Sequence, residues 1–171
     1  MNIFKVNGKF NLGDLIISLL ITLGGGYVIG KFTQESVQVY GTLNKPWFSP
    51  PAIVFPIVWT ILYILMAIAA YRIFLRHKQG EKTKSALWFY IIQLALNFAW
   101  SIIFFHFKLY GLAFIELIIL LIFIVITTIK FFKFDKIAGI LMIPYIIWVS
   151  FAGVLNFCLL YTSRSFARNY I

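Results

Sequence analysis

Acidic and chemically reactive side chains are both scarce in this chain of 171 residues: Asp and Glu number five against fifteen Lys and Arg, with two histidines and one cysteine. The lone Cys158 cannot form an intrachain disulfide, so thiol usage gives no sign of an oxidising compartment. His77 lies in a basic stretch and His106 at the end of an apolar run, so neither offers haem iron a buried axial ligand. Metal-ligand spacings and glycine-rich phosphate loops are missing as well. There is no internal repeat, inverted or otherwise, which removes one common signature of a secondary transporter.

What is abundant is apolar. Hydrophobic residues make up 62% of the chain and charged ones 12%, and the mean hydropathy is +0.94, values far from those of a water-soluble domain. A net charge of +10 would suit nucleic acid only on a soluble basic face, whereas the basic residues here separate apolar runs, so nucleic acid is not an expected partner. Apolar runs cover 15–30, 46–71, 85–107, 109–129 and 137–163, with Glu116 the one Asp, Glu, Lys or Arg inside them. Crossing about 30 Å of hydrocarbon takes roughly 20 apolar residues. The expected fold is therefore an all-α membrane protein, a five-transmembrane-helix bundle forming one domain over 1–171, with helices near 12–31, 50–76, 85–107, 109–131 and 137–162. The amino-terminal run resembles a signal peptide but is followed by no small-x-small cleavage site, and it reads as the first span.

Alternating sides places Lys5, Lys9, Arg72, Arg76, Lys78, Lys82, Lys84, Lys130, Lys133 and Lys136 on one side and Lys31, Lys45, Lys108, Arg164 and Arg168 on the other. That imbalance predicts a cytoplasmic amino terminus, with membrane lipid as the surrounding partner. Four of the five prolines fall within 46–56, where they predict a stiff extended approach to the second span.

Trp47 and Trp88 suit the interfacial belt, but Trp59, Trp100 and Trp148 lie deep in their runs, where an indole N–H needs a partner. Core packing would account for them, as would a flat aromatic ligand. Phe55, Trp59 and Tyr63 recur on one helical face, as do Pro144, Trp148, Ala152 and Leu155 or Asn156. Gln93, Asn97 and Ser101 form a polar stripe beside Trp100, and such groups face a bundle interior. Ala95 and Ala99 point away from it and offer a close-approach face for a homodimer. Glu116 is the one ionisable residue inside a run, which by default marks function but at this depth also fits a structural role.

The motifs Lys45-Pro46-Trp47, Pro50-Pro51 with Val58-Trp59-Thr60, Leu96-Asn97-x-Ala99-Trp100-Ser101, and Pro144-Tyr145-x-x-Trp148-Val149-Ser150-Phe151-Ala152-x-x-Leu155-Asn156 resemble the tryptophan-rich sensory protein (TspO) and mitochondrial translocator-protein family. The resemblance runs from about Gly24 to Asn156. It implies a five-helix bundle that binds a tetrapyrrole, a porphyrin or haem, often as a dimer; a bacterial cell membrane is the expected location, and no cofactor or protein-held metal ion is expected to be required. Carried over by position, its ligand site would comprise Tyr40, Pro50, Phe55, Trp59, Tyr63, Asn97, Trp100, Trp148, Phe151, Ala152 and Leu155. Glu116 replaces the family's usual aspartate, and Phe157 and Tyr161 stand where animal members carry a sterol motif. The resemblance leaves three functions open: a sensor or stress regulator, a light-dependent porphyrin-degrading enzyme using Trp59 and Trp148, or a transporter of porphyrins or lipids. If the fifth-helix face meets ligand, Ala152→Leu should weaken binding while Ala113→Leu changes little.

Overall fold

The computed structural model describes residues 3–40 and 47–168, with only the helical backbone for 34–40 and 162–168. Five helices in it are long and apolar enough to cross a membrane: Leu12–Thr33, Val54–Lys78, Lys84–His106, Tyr110–Phe134 and Lys136–Tyr161. The first continues to Tyr40 and the last to Arg168. They are numbered here as spans one to five. Span four shows why they belong in lipid: Ile115, Ile118, Ile119, Ile122, Val125 and Ile129 all face outward and exposed, while Ala113, Leu117, Leu120 and Ile124 are buried against the bundle. An apolar stripe of that extent is stable only against hydrocarbon.

The ends of the helices follow from their residues. Asn11 caps span one, its side chain accepting from the Asp14 N–H at 3.1 Å. Span two begins at Val54 rather than near 50. Pro51 disfavours helical geometry at Pro50, as Pro50 does at Ser49, and Ala52 and Ile53 then form a turn that brings Val54 N–H to Pro51 O at 3.0 Å. Pro56 lies in the first turn, where a missing N–H costs nothing. At the other end Arg76, His77 and Lys78 face the negative end of the helix dipole, and Gly80 takes the left-handed conformation that stops the helix (φ 93°). Between spans four and five the only residue is Asp135, extended, with its carboxylate accepting from Ala138 N–H at 2.9 Å. It thereby caps span five.

In cross-section the contacts run 1-2-5-4-3, and the ring closes where the second half of span one meets residues 102–106. Spans one and three each carry a π-helical turn, Leu20–Gly24 and Ile102–His106, a distortion frequent near functional sites. After the first of these, Gly25 and Gly26 let other side chains lie against bare backbone. A β-carbon at Gly26 would overlap the Tyr63 ring, and one at Gly25 would stand 2.6 Å from the Phe98 ring. Gly26→Ala should therefore displace Tyr63 and cost about 1–3 kcal/mol by overpacking, read as a lower melting temperature in detergent; an unchanged melt would show that Tyr63 yields freely.

One end of the ring is closed by the segment before span one. Val6 to Lys9 make a tight turn with reciprocal backbone bonds of 2.9 and 3.0 Å, and Val6 is buried. Tyr71 Oη donates to Phe4 O at 3.1 Å, and Arg72 Nη1 donates to Ile3 O and Lys5 O at 2.7 and 3.0 Å. The remaining face of the Arg72 guanidinium binds Asp135 through Nε and Nη2 at 2.9 and 2.8 Å. This places Lys5, Lys9, Arg72, Lys78 and Lys136 at the same end of the bundle.

Candidate functional site

Spans two and five meet through aromatic rings. Phe55 lies edge-on to Trp148, with centroids 5.7 Å apart, and Trp148 is 5.8 Å from Phe151. One turn deeper, Trp59 is 5.5 Å from Tyr63 and tilted by 30°, and 6.2 Å from Tyr145, edge-on. The four-residue spacing of Phe55, Trp59 and Tyr63 thus forms one wall, and Trp148 with Phe151 another.

Beneath these rings lies a hydrogen-bonded floor. Tyr63 Oη donates to Asn97 Oδ1 at 2.7 Å, and Asn97 Nδ2 donates to Tyr145 Oη at 3.0 Å, so one fully buried amide ties spans two, three and five together. Span one joins through Thr22, whose hydroxyl is 2.7 Å from Tyr90 Oη. Each buried polar group used in this way escapes the cost of an unmade bond in a low-dielectric interior.

Of the residues expected at the site, Phe55, Trp59, Tyr63, Asn97, Trp148 and Phe151 thus lie in this connected group. Ala152 and Leu155 are buried on span five, one and about two turns beyond Trp148. Pro50 is half-buried just before span two. Trp100 belongs to a different aromatic group, stacked on Phe104 at 5.0 Å and edge-on to Phe105 at 6.0 Å, and Phe104 in turn meets Tyr110. The side chain of Tyr40 lies outside the described residues.

Three details depart from the spacing argument. Pro144 is exposed, and the buried line of span five runs through Tyr145, Val149, Ala152 and Asn156, because steps of four residues drift about 40° around a helix of 3.6 residues per turn. The Asn156 amide, in the orientation its neighbours require, donates to Tyr110 O at 3.1 Å and accepts from Phe114 N–H at 3.2 Å, so it holds span four. Ser101 bonds back to Asn97 O at 3.4 Å, within its own helix. Tyr145 was the residue that spacing missed; its position beside Pro144 in the fifth-helix motif was the available signal.

Several polar side-chain atoms have no protein partner although they are out of solvent, among them the indole Nε1 of Trp100 and of Trp148, both amide atoms of Gln93, and both carboxyl oxygens of Glu116. No cluster of three or more metal-binding side chains occurs among the described residues.

An integral membrane protein with five spans and an aromatic group seated on a polar floor is the class these features define. Its sequence matches the model of the TspO/MBR family over residues 17–162. It is 38% identical to the tryptophan-rich sensory protein of Cereibacter sphaeroides over 143 residues, covering 84% of this chain and 87% of that one. Protein CrtK of Rhodobacter capsulatus is 36% identical over 118 residues, 69% of this chain and 74% of its own. The translocator protein of Homo sapiens is 33% identical over 137 residues, 78% and 80% of the two chains. The chain belongs to the TspO/MBR family.

Proposed function

We propose that this protein binds a tetrapyrrole, a porphyrin or haem, within its membrane-embedded aromatic group and acts as a sensor or stress regulator. The observation that carries the reading is the Trp148 indole, whose N–H is out of solvent and unpartnered between Phe55 and Phe151. A flat ring with acceptor edges would satisfy that donor while stacking on the neighbouring faces, the usual combination of an apolar site with a few placed polar groups. Phe55, Trp59, Tyr63, Asn97, Phe151, Ala152 and Leu155 are the residues assigned to it, with Tyr40 from the end of the helix of span one, Pro50 from the approach to span two and Trp100 from span three. No cofactor or metal is required for this role.

Titration with protoporphyrin IX should quench tryptophan fluorescence saturably, with a Kd in the micromolar range or tighter. Trp148→Phe, which removes the orphan donor, should weaken binding by about 3- to 10-fold, the worth of about one hydrogen bond. Quenching that stays linear with concentration and ignores both Trp59→Phe and Trp148→Phe would sink the reading. The same preparation separates the other roles: porphyrin loss under light faster than that of free porphyrin would make it an enzyme, and accumulation in sealed vesicles a transporter.

We further place the amino terminus in the cytoplasm of a bacterial cell, on the bias of basic residues toward the end that holds Arg72. A homodimer through span three is supported by the exposure of Ala95 beside Trp88, Ile91 and Ile92. Crosslinking of Ala95→Cys in lipid tests it, and a monomer there removes that interface.

A further inference from the structure

Lys130 is the first charged residue after the apolar run of span four, and its ammonium is held against span three. Lys130 Nζ donates to Ser85 Oγ at 3.1 Å and lies 4.8 Å from the centroid of the Phe89 ring, a cation–π contact. Phe89 in turn meets Phe123, with centroids 5.7 Å apart. Ser85 and Phe89 are one turn apart on span three, and Phe123 and Lys130 are two turns apart on span four. The four side chains therefore form a strip along the seam between the two spans. Ile119 continues the span-four row one turn further and is exposed to hydrocarbon.

The chemistry of the strip restricts what would occupy it. An ammonium has three N–H groups and this one spends one on Ser85, whose hydroxyl, accepting there, keeps its own proton to donate. Donors on a positive charge call for an anion, and the protein's own carboxylates at this end are committed elsewhere. Asp14 binds Lys78 at 2.8 Å, Glu81 binds Arg76 at 2.9 Å and Asp135 binds Arg72 at 2.8 Å. Among the described residues, Lys82, Lys84, Lys130, Lys133 and Lys136 thus have no carboxylate partner. We propose that Ser85, Phe89, Phe123 and Lys130 form a site for one anionic phospholipid, its phosphodiester accepting from Lys130 and Ser85 and its acyl chains lying along Phe123 and Ile119. Basic pockets between spans are a recurrent setting for such head groups. A zwitterionic lipid offers the same phosphate but brings its own cation into a field that is already positive, so the fit favours a phosphoglycerol head group. The site involves spans three and four only and stands whether or not the protein binds tetrapyrroles.

Native mass spectrometry of the detergent-solubilised protein, titrated with phosphatidylglycerol and with phosphatidylcholine of the same acyl chains, tests it. The first phosphatidylglycerol should bind at least about fivefold more tightly than the first phosphatidylcholine. Lys130→Gln, which keeps most of the stem and loses the charge, should weaken phosphatidylglycerol by about fivefold, and Ser85→Ala by about two- to fivefold. Lys130→Arg, with the charge restored, should stay close to the parent. Lys136→Gln removes the same charge from the same end and should change the affinity by less than about twofold, because a lysine away from the site acts only through a screened field. Equal affinity of the parent for the two lipids overturns the site. An equal fall in Lys130→Gln and Lys136→Gln overturns it too, since only the diffuse field of a basic end would then be at work. Displacement of the lipid by an equal concentration of glycerol phosphate would assign the Lys130 and Ser85 donors to a soluble anion and likewise remove the lipid.

Discussion

Asp135→Ala is expected to lower the melting temperature in detergent by roughly 6–20 °C, the equivalent of about 3–5 kcal/mol for breaking a buried ion pair at about 2–4 °C per kcal/mol in a chain of this size. The magnitude follows from what is left behind. Arg72 is 4% exposed, and without the carboxylate its Nε and Nη2 donors lose their partners at 2.9 and 2.8 Å. Span five also loses the cap made by Asp135 Oδ1 on Ala138 N–H, worth about 0.5–2 kcal/mol by itself. Asp135→Asn keeps a capping oxygen and should fall between the parent and alanine. The double variant Arg72→Met with Asp135→Leu should regain much of the loss, since it removes the stranded charge along with its partner. A melt for Asp135→Ala within about 2 °C of the parent would mean that the pair does not hold this end together.

Acid should reproduce the effect reversibly. Burial raises the Asp135 carboxyl, but the hydrogen bond from Arg72, the Ala138 N–H and the charges of Arg72 and Arg76 outweigh it, so the group is held below its ordinary value. A depressed carboxyl contributes stability that is fully present above its unfolded value of about 3.9 and is lost as the pH falls through the lower folded value. The parent should therefore lose stability below about pH 4, and Asp135→Asn should show a flatter acid limb in melts taken across that range.

The sequence made some of this legible and left the rest hidden, for physical reasons. Span positions could be read because charge is costly in hydrocarbon, so the runs between basic clusters measure the membrane directly. The aromatic wall of span two was visible as a four-residue spacing, and the Asn97 stripe as polarity where polarity is costly. The Arg72–Asp135 pair was not, because both residues lie at span ends, where charge is ordinary, and 63 residues separate them. Nothing local marks Asp135 as a partner. The role of Gly25 and Gly26 was likewise hidden, since a glycine needed for close approach looks the same in sequence as one that merely bends a helix. Ala113 misled in the opposite direction. Near the start of span four it reads as a neutral site, but it is 0% exposed, so Ala113→Leu should overpack the bundle and is no control.

The control needed is a substitution on the outward face of span five, and Val154, exposed to lipid, supplies one for a test of the ligand wall at Ala152. Ala152 lies one turn beyond Trp148, buried at 9% exposure on the line that runs from Tyr145 and Val149. Leucine there adds three carbons beside the indole whose N–H is unpartnered. Overpacking of this kind typically costs about 1–3 kcal/mol; where the strain arises only with ligand in place, this becomes roughly a 5- to 150-fold loss of affinity. Ala152→Leu should therefore bind protoporphyrin IX at least about fivefold more weakly while melting within a few degrees of the parent, whereas Val154→Leu changes neither. Ala152→Val, smaller by one carbon, should lie between, so that a graded loss separates a filled site from a misfolded one. Unaltered affinity in a well-folded Ala152→Leu protein would remove this face of span five from the ligand site and leave the Trp148 donor to be explained by packing alone.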